Sequence, residues 1–391
     1  MSAAGGAGSQ QLRRLRVMTI VGTRPELIKL SRVVAELDSC MEHVLVHTGQ
    51  NFDYELNGIF FRELGIRPPD HFLEAAADNP AQSIARIIER ADRIIAEVQP
   101  DAVLIYGDTN SCLAVIAAKR RKVPIFHMEA GNRCFDQRVP EEINRKLVDH
   151  LSDVNMPLTE HARRYLLAEG LRPELVIRTG SAMREVLQYY REQIDRSEIL
   201  RTLQLEAQGY LVVSAHREEN VDDPRRLAAL VGAISAATQR WNKRAVFSTH
   251  PRTRARLEQA QLLTAGLPID FLKPLGFCDY VQLQRHAFCV LSDSGTLTEE
   301  AALLGFPAVM LREAHERPEG MDVGVAVMSG LGEAGILRSI DLVTSQALRR
   351  EPLAADAVAD YNFERVSVQV VRVIQSYTEY VNRVIWQKPE R

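Results

Sequence analysis

Short apolar runs alternate with longer amphipathic ones from Arg16 to Leu311, and the alternation starts afresh once in mid-chain. Strands separated by helical stretches are brought together as parallel neighbours, each joined to the next by a crossover helix. In the first round Arg16–Gly22 is a strand, Glu26–Leu37 a helix and His43–His47 a strand. A helix over about Ala81–Val98 leads to the strand Ala102–Tyr106, and a helix near Ser111–Arg121 leads to Pro124–His127. Helices around Pro140–Leu151 and Glu160–Glu169 flank a short run at Val154–Pro157, and Val176–Gly180 closes the round. A charged helical stretch from Met183 to about Leu205 follows. The second round holds the strands Tyr210–Ser214, Ala245–Thr249, Ile269–Leu272, Phe288–Ser292 and Ala308–Leu311, with helices over Arg225–Trp241 and Thr296–Leu304. An apolar helical segment from Phe363 to about Trp386 ends the pattern and can fold back on either half. The reading is α/β: two doubly wound, Rossmann-like domains facing a cleft.

In such sheets ligands lie outside the carboxyl ends of the strands. The nineteen residues His127–Arg145 leave one such end with four acidic residues (Glu129, Asp136, Glu141, Glu142) and three arginines (Arg133, Arg138, Arg145). A strand-to-helix connection needs turn formers, not this density of opposite charge. Carboxylates crowded beside arginines suit proton transfer next to an anionic substrate. Cys134 within it is a possible nucleophile, though a small filler beside a site is the plainer reading.

Other strand ends carry matching features. Gly22-Thr-Arg-Pro-Glu26 offers helix-start N–H groups and Arg24 to a phosphate, with Lys29 one turn on; a surface turn in which Arg24 pairs with Glu26 is the bland alternative. Asp108, in Gly107-Asp-Thr-Asn-Ser111, either caps a helix or shares a sheet edge with Glu129 and Glu141. His216 and Arg217 follow a second-half strand and can face the cleft, His216 on a phosphate or as a catalytic acid–base, and His250 repeats that placement. In Asp293-Ser-Gly-Thr-Leu-Thr-Glu-Glu300, the residues Ser294, Gly295 and Thr296 can offer N–H groups and hydroxyls to a pyrophosphate, and Glu299 or Glu300 can take ribose hydroxyls. A simple capping box is compatible with both roles. Arg312 and Arg317 lie in a charged loop after the next strand.

Composition narrows the partners. A net charge of −3 leaves no global basic field for nucleic acid or a membrane surface, so an anion must be bound locally. No apolar run is long enough to span a bilayer. Five cysteines without C-x-x-C spacing suit free thiols in a reducing, cytoplasmic compartment. Residues 1–11 are polar and small, and read as a disordered tail. The turn after the first strand, Gly22-Thr-Arg-Pro-Glu26, lacks the G-x-G-x-x-G fingerprint, which argues against a bound nicotinamide or flavin there, and the ten histidines show no zinc spacing.

Taken in order, G-T-R-P-E, G-D-T-N-S, E-A-G-N-R, P-E-E-I-N-R, A-H-R-E-E-N, D-S-G-x-x-x-E-E and E-R-P-E resemble the motifs of the non-hydrolysing UDP-N-acetylglucosamine 2-epimerase family. The resemblance implies a glycosyltransferase-B architecture: a first domain over residues 12–185, a UDP-binding domain over 186–365, and a helix over 366–391 crossing back to the first. It implies a UDP-N-acetylhexosamine substrate, no metal or other cofactor, and a homodimer. It further implies elimination of UDP to a glycal and its re-addition. Carried over by motif, Asp108, Glu129 and Glu141 are the proton-transfer carboxylates. His216, Arg24, Lys29, Ser294 and Gly295 contact diphosphate, Glu300 takes the ribose, and Tyr280 stacks on uracil. Arg133, Arg145, Arg217, His250, Thr296 and Arg317 complete the substrate-binding set.

The departures bear on the substrate. Thr48-Gly-Gln-Asn-Phe-Asp-Tyr54 keeps Gln50 but has Asn51 and Asp53 where many bacterial members carry contacts to an activating UDP-sugar. The run Gly131–Glu142 resembles the capsule and O-antigen branch that makes UDP-N-acetyl-L-fucosamine from UDP-2-acetamido-2,6-dideoxy-L-talose. Asn132, Cys134 and Phe135 would then shape a pocket for a 6-deoxy sugar. Epimerisation of UDP-N-acetylglucosamine to UDP-N-acetylmannosamine is the nearest alternative, and a glycosyltransferase of the same architecture the next.

Overall fold

A computed structural model describes residues 13–49, 61, 63–263, 266–348 and 357–389. The expected tail, the retained Gln50 and the departures at Asn51 and Asp53 lie outside the described residues. Two six-stranded parallel sheets form the molecule. The first contains β1 (Arg16–Val21), β2 (Glu42–His47), β3 (His71–Phe72), β4 (Ala102–Tyr106), β5 (Ile125–Met128) and β6 (Val154–Met156), in the spatial order β3-β2-β1-β4-β5-β6. The second contains β7 (Tyr210–Ser214), β8 (Arg244–Ser248), β9 (Ile269–Leu272), β10 (Cys289–Ser292), β11 (Ala308–Met310) and β12 (Val327–Met328), ordered β12-β11-β10-β7-β8-β9. The two orders are the same once the second is read backwards. Each sheet reverses its winding beside its first strand, between β1 and β4 and between β7 and β10, and leaves a crevice there.

The central strands are buried on both faces, as continuous apolar runs in a parallel sheet should be. Helices cover them and start where local chemistry directs. Pro80–Val98 begins with proline behind Asn79, whose side chain accepts the Gln82 N–H at 2.9 Å. Pro140–Leu151 has Glu141 and Glu142 in its first turn, where the helix dipole favours negative charge. The last helix, Val366–Val384, buries Val366, Val370, Ile374 and Val381 in one cluster with Leu27, Leu30, Val33 and Leu37 of the helix Arg24–Cys40. The chain therefore does cross back to the first domain.

Three details differ from expectation. Val176–Gly180 adds no strand: Val176 makes an isolated bridge to Asn155, and Gly180, at φ +77°, turns the chain away. The stretch after Met183 breaks into Met183–Tyr189, Arg191–Asp195 and Ile199–Thr202, around Tyr190, whose buried hydroxyl donates to the Leu64 carbonyl at 2.6 Å. The two-residue strands β3 and β12 exist by pairing at sheet edges, which local sequence does not announce. No helix among the described residues is long and apolar enough to cross a membrane.

Candidate active site

The loops after β1, β4 and β5 and those after β7, β10 and β11 meet across the cleft. Glu129 is the junction. It follows β5 directly and holds φ at +62°, a left-handed conformation uncommon for a residue with a side chain and concentrated at functional sites. Gly131, two residues on, sits at φ +82°, and a Cβ there would lie 2.5 Å from the Ala162 carbonyl oxygen, so only glycine fits the turn.

Four donors converge on the Glu129 carboxylate. Lys29 Nζ and Tyr106 Oη reach Oε2 at 2.7 and 2.6 Å, while Arg317 Nη2 and Asn132 Nδ2 reach Oε1 at 3.1 and 3.4 Å. Burial pushes this carboxyl up, but Lys29 and Arg317 outweigh it and hold it well below the usual glutamate range. Lys29 also contacts Glu299 Oε2 at 3.0 Å, and Arg317 Nη2 lies 3.4 Å from the same oxygen. Ser181 donates to the other Glu299 oxygen. Lys29 and Glu129 belong to the first sheet's edge and Glu299 and Arg317 to the second's, so the ion network ties the two domains together.

A second group lies on the same sheet edge. Arg145 Nε donates to Asp108 Oδ2 at 2.8 Å and Arg145 Nη1 to Glu142 Oε2 at 3.0 Å. Asp108 is not a helix cap; Thr109 precedes the short turn Asn110–Ala114 instead. Glu141 is half-buried, and burial followed by the nearby Asp108 charge raises its carboxyl above the ordinary value, against Arg217 and Arg145. The edge thus holds one carboxyl biased toward the ion and one biased toward the acid. Environments that push paired carboxyls apart suit acid and base roles.

On the second edge Asp293 accepts the backbone N–H groups of His216 and Arg217, both at 3.0 Å to Oδ2, and Asn220 Nδ2 at 2.9 Å. His216 Nδ1 lies 3.1 Å from Asp293 Oδ1. Arg217 Nη2 donates to Glu316 at 2.7 Å, and Arg312 also pairs with Glu316. Gly295 packs against that glutamate: a Cβ would come within 2.4 Å of Glu316 Oε1. Ser294 Oγ and Thr296 Oγ1 are 2.9 Å apart at the start of the helix Leu297–Leu304. Arg24 reaches this side too. Burial lowers its pKa, against the charges of Tyr280, Glu300 and Glu63 around it. Glu300 accepts Gln284 Nε2 at 2.6 Å, and burial raises its carboxyl.

Most residues singled out in the sequence are therefore brought to the facing edges, though Lys29 and Arg317, expected on the anionic substrate, pair with Glu129 and Glu299, and three further details differ. Arg133 points inward: its fully buried guanidinium donates to Glu169 at 2.8 and 2.6 Å and to Asp149 at 2.7 Å, so it braces the loop rather than facing a ligand. His250 is exposed and caps the helix Pro251–Gln259, accepting the Arg252 N–H at 3.3 Å, with its ring 6.1 Å from that of His216. Arg24 does not pair with Glu26, whose carboxylate takes the Gly22 and Thr23 N–H groups and the hydroxyls of Thr109 and Ser111. Burial raises the Cys134 thiol, and its sulfur donates to Glu142 at 3.4 Å, which suits a filler. Sequence reasoning missed Tyr106, Ser181 and Glu316. The first reads as core, the second as linker, and only the charge of the Arg312–Glu319 loop pointed to the third.

With this geometry in place, comparisons with known proteins agree on one relationship. The family profile described as UDP-N-acetylglucosamine 2-epimerase matches residues 35–375. A UDP-N-acetylglucosamine 2-epimerase structure from Rickettsia bellii is similar at 52% identity and a TM-score of 0.88, covering 96% of this chain and 100% of that one. The Methanocaldococcus jannaschii UDP-GlcNAc 2-epimerase, solved in complex with UDP-GlcNAc and UDP, is similar at 28% identity and a TM-score of 0.86, covering 93% and 100%. The UDP-2,3-diacetamido-2,3-dideoxy-D-glucuronate 2-epimerase of Pseudomonas aeruginosa is 34% identical over 83% of this chain and 91% of its own length.

Proposed function

The chain belongs to the UDP-N-acetylglucosamine 2-epimerase family, and from that premise we propose that it inverts the second carbon of a UDP-linked 2-acetamido sugar. The observation that carries this reading is the Glu129 carboxylate, held ionised by donors from both domains, with Asp108 beyond the neighbouring strand β4 on the same sheet edge and Glu141 within reach of the Asp108 charge. The proton on that carbon is too weakly acidic for simple abstraction and return. In the proposed reaction the C2–H and C1–O bonds break, a C1=C2 glycal forms, and UDP departs with the electron pair. A proton then enters the opposite face and UDP adds back to C1. Glu129 suits the acceptor of the proton, and Glu141, biased toward its acid form, the donor. Arg24, Arg217, His216 and the Ser294–Thr296 turn suit the departing diphosphate, whose charge grows as the bond breaks. Tyr280 and Glu300, near Arg24, suit the nucleoside.

Two substrates follow from different observations. The run Asn132–Phe135 beside Glu129 favours UDP-2-acetamido-2,6-dideoxy-L-talose, giving UDP-N-acetyl-L-fucosamine for surface polysaccharide. The similarity to the Rickettsia and Methanocaldococcus UDP-N-acetylglucosamine 2-epimerases favours UDP-N-acetylglucosamine. Deuterium incorporation at the second carbon separates them, with the 2,3-diacetamido glucuronate as a third probe. Exchange confined to UDP-N-acetylglucosamine sinks the 6-deoxy reading. Exchange with none of the three sinks the epimerase reading itself.

A further inference from the structure

Tyr106 is a buried acid that the proposed chemistry leaves unused. It ends β4 opposite Met128 of β5, so its ring lies one residue from Glu129 across the ladder, and it is 3% exposed. A strand that is otherwise Ala-Val-Leu-Ile needs only an apolar residue there, and phenylalanine would fill the space without a polar atom to satisfy. The hydroxyl is instead spent on one acceptor, Glu129 Oε2, at 2.6 Å. That oxygen also takes Lys29, whose ammonium lies 5.5 Å from the Tyr106 ring centroid.

We propose that Tyr106 is a positioning residue for the proton-transfer step: its phenol fixes the rotation of the Glu129 carboxylate and keeps it ionised for a substrate proton. The proposal rests on Glu129 being the proton acceptor. Every charged neighbour of the carboxylate comes from another element: Lys29 from the helix after β1, Glu299 from the helix after β10, Arg317 from the loop after β11. Asn132, uncharged, completes the set. Lys29 and Arg317 are shared with Glu299, so their hold on Glu129 is divided. Tyr106 is committed to Glu129 alone and rides on a central strand, which makes it the rigid donor of the four. The phenol keeps its own proton, because burial and then the charges of Glu129 and Glu299 hold its pKa well above the usual value despite Arg317.

The test is Tyr106→Phe in the full chain, assayed by deuterium exchange at the second carbon of the UDP-sugar that turns over. Expected are a KM and a UDP affinity within about twofold of wild type and a kcat lower by about tenfold. The acidic limb of the kcat/KM profile should rise by about one pH unit, the tenfold gain in proton affinity that loss of one charge-assisted hydrogen bond produces. The sign follows from Glu129 having to be ionised: weaker stabilisation of the ion moves the limb upward. A limb that superposes on wild type, or a loss confined to KM, overturns the proposal. Should Tyr106→Phe fail to fold, 3,5-difluorotyrosine at position 106 keeps the shape and donates more strongly, so the limb should move downward; no movement overturns the proposal. Glu129→Gln separates the two layers. If it retains full turnover, the acceptor reading fails. If it is inactive while Tyr106→Phe leaves the limb in place, only the role of Tyr106 fails.

Discussion

Glu129 and Asp293 are two largely buried carboxylates, each the first residue beyond a parallel strand of its own sheet, β5 and β10, and each is held below its ordinary pKa. They differ in who supplies the donors. Asp293 takes two backbone N–H groups, the side chain of Asn220 and the His216 ring, all from the segment that follows the neighbouring strand β7. The two backbone donors cannot leave without unfolding that segment, and none of the partners comes from the facing domain. Glu129 takes four side chains, one of them from the facing domain, and its backbone is in a left-handed conformation. All four are side-chain donors, so none is fixed by the backbone of the Glu129 loop. A low carboxyl pKa in a cleft therefore does not identify a proton-transfer group by itself; the source of its stabilisation separates a loop staple from a reactive group.

Substitutions should split the pair. The largest effect is expected for Asp293→Ala, which strands two backbone N–H groups and the Asn220 amide. The second domain should lose roughly 3 kcal/mol or more of folding stability, read from urea unfolding, and a loss within about 1 kcal/mol would refute the staple. Next comes pH. The Asp293 carboxyl is held down to about 2, because His216 and the N–H donors outweigh burial. A depressed carboxyl contributes stability that is fully present above its unfolded value near 4 and is lost as pH falls through the folded one. Wild type should therefore lose up to about 2 kcal/mol more than Asp293→Asn between roughly pH 4 and pH 2; parallel acid-unfolding curves would contradict it. Glu129→Gln should behave in the opposite manner, folding normally and binding UDP within about twofold. Its turnover should fall at least about tenfold, roughly 1.4 kcal/mol in the barrier. Equal turnover in Glu129→Gln, Asp108→Asn and Glu141→Gln would remove the chemistry from this edge.

The contrast was only half visible in the sequence. Strand-to-helix alternation located both sheets, and parallel winding fixed which strand ends share an edge, so Asp108, Glu129, His216 and Ser294 could be grouped without coordinates. Direction was not available. Arg133 stands between Glu129 and Glu141 in sequence, yet its side chain turns into the core to meet Asp149 and Glu169. Lys29 and Arg317 read as phosphate partners because local charge points to anions in general, whereas here both sit among carboxylates from the facing domains. Tyr106 was hidden by its strand, since a tyrosine ending an apolar run looks like core until the neighbouring strand supplies its partner. Periodicity reports which face a residue occupies, and contacts between domains lie beyond its reach.

The finest test concerns the weakest of the four donors to Glu129. Asn132 Nδ2 lies 3.4 Å from Oε1, near the outer limit for a hydrogen bond, while Lys29 and Tyr106 hold Oε2 at 2.7 and 2.6 Å. If the carboxylate is anchored through Oε2, removing Asn132 should scarcely alter its ionisation. Asn132→Ala should leave stability and the acidic limb unchanged and lower kcat/KM about twofold, roughly 0.4 kcal/mol. The informative quantity is the ratio of kcat/KM values for UDP-2-acetamido-2,6-dideoxy-L-talose and UDP-N-acetylglucosamine. Asn132 begins the run proposed to select the sugar, so the ratio should shift even where the common loss is small. A uniform loss on both substrates, with a displaced acidic limb, would instead make Asn132 a fourth prop of the carboxylate and move sugar selection elsewhere on the edge.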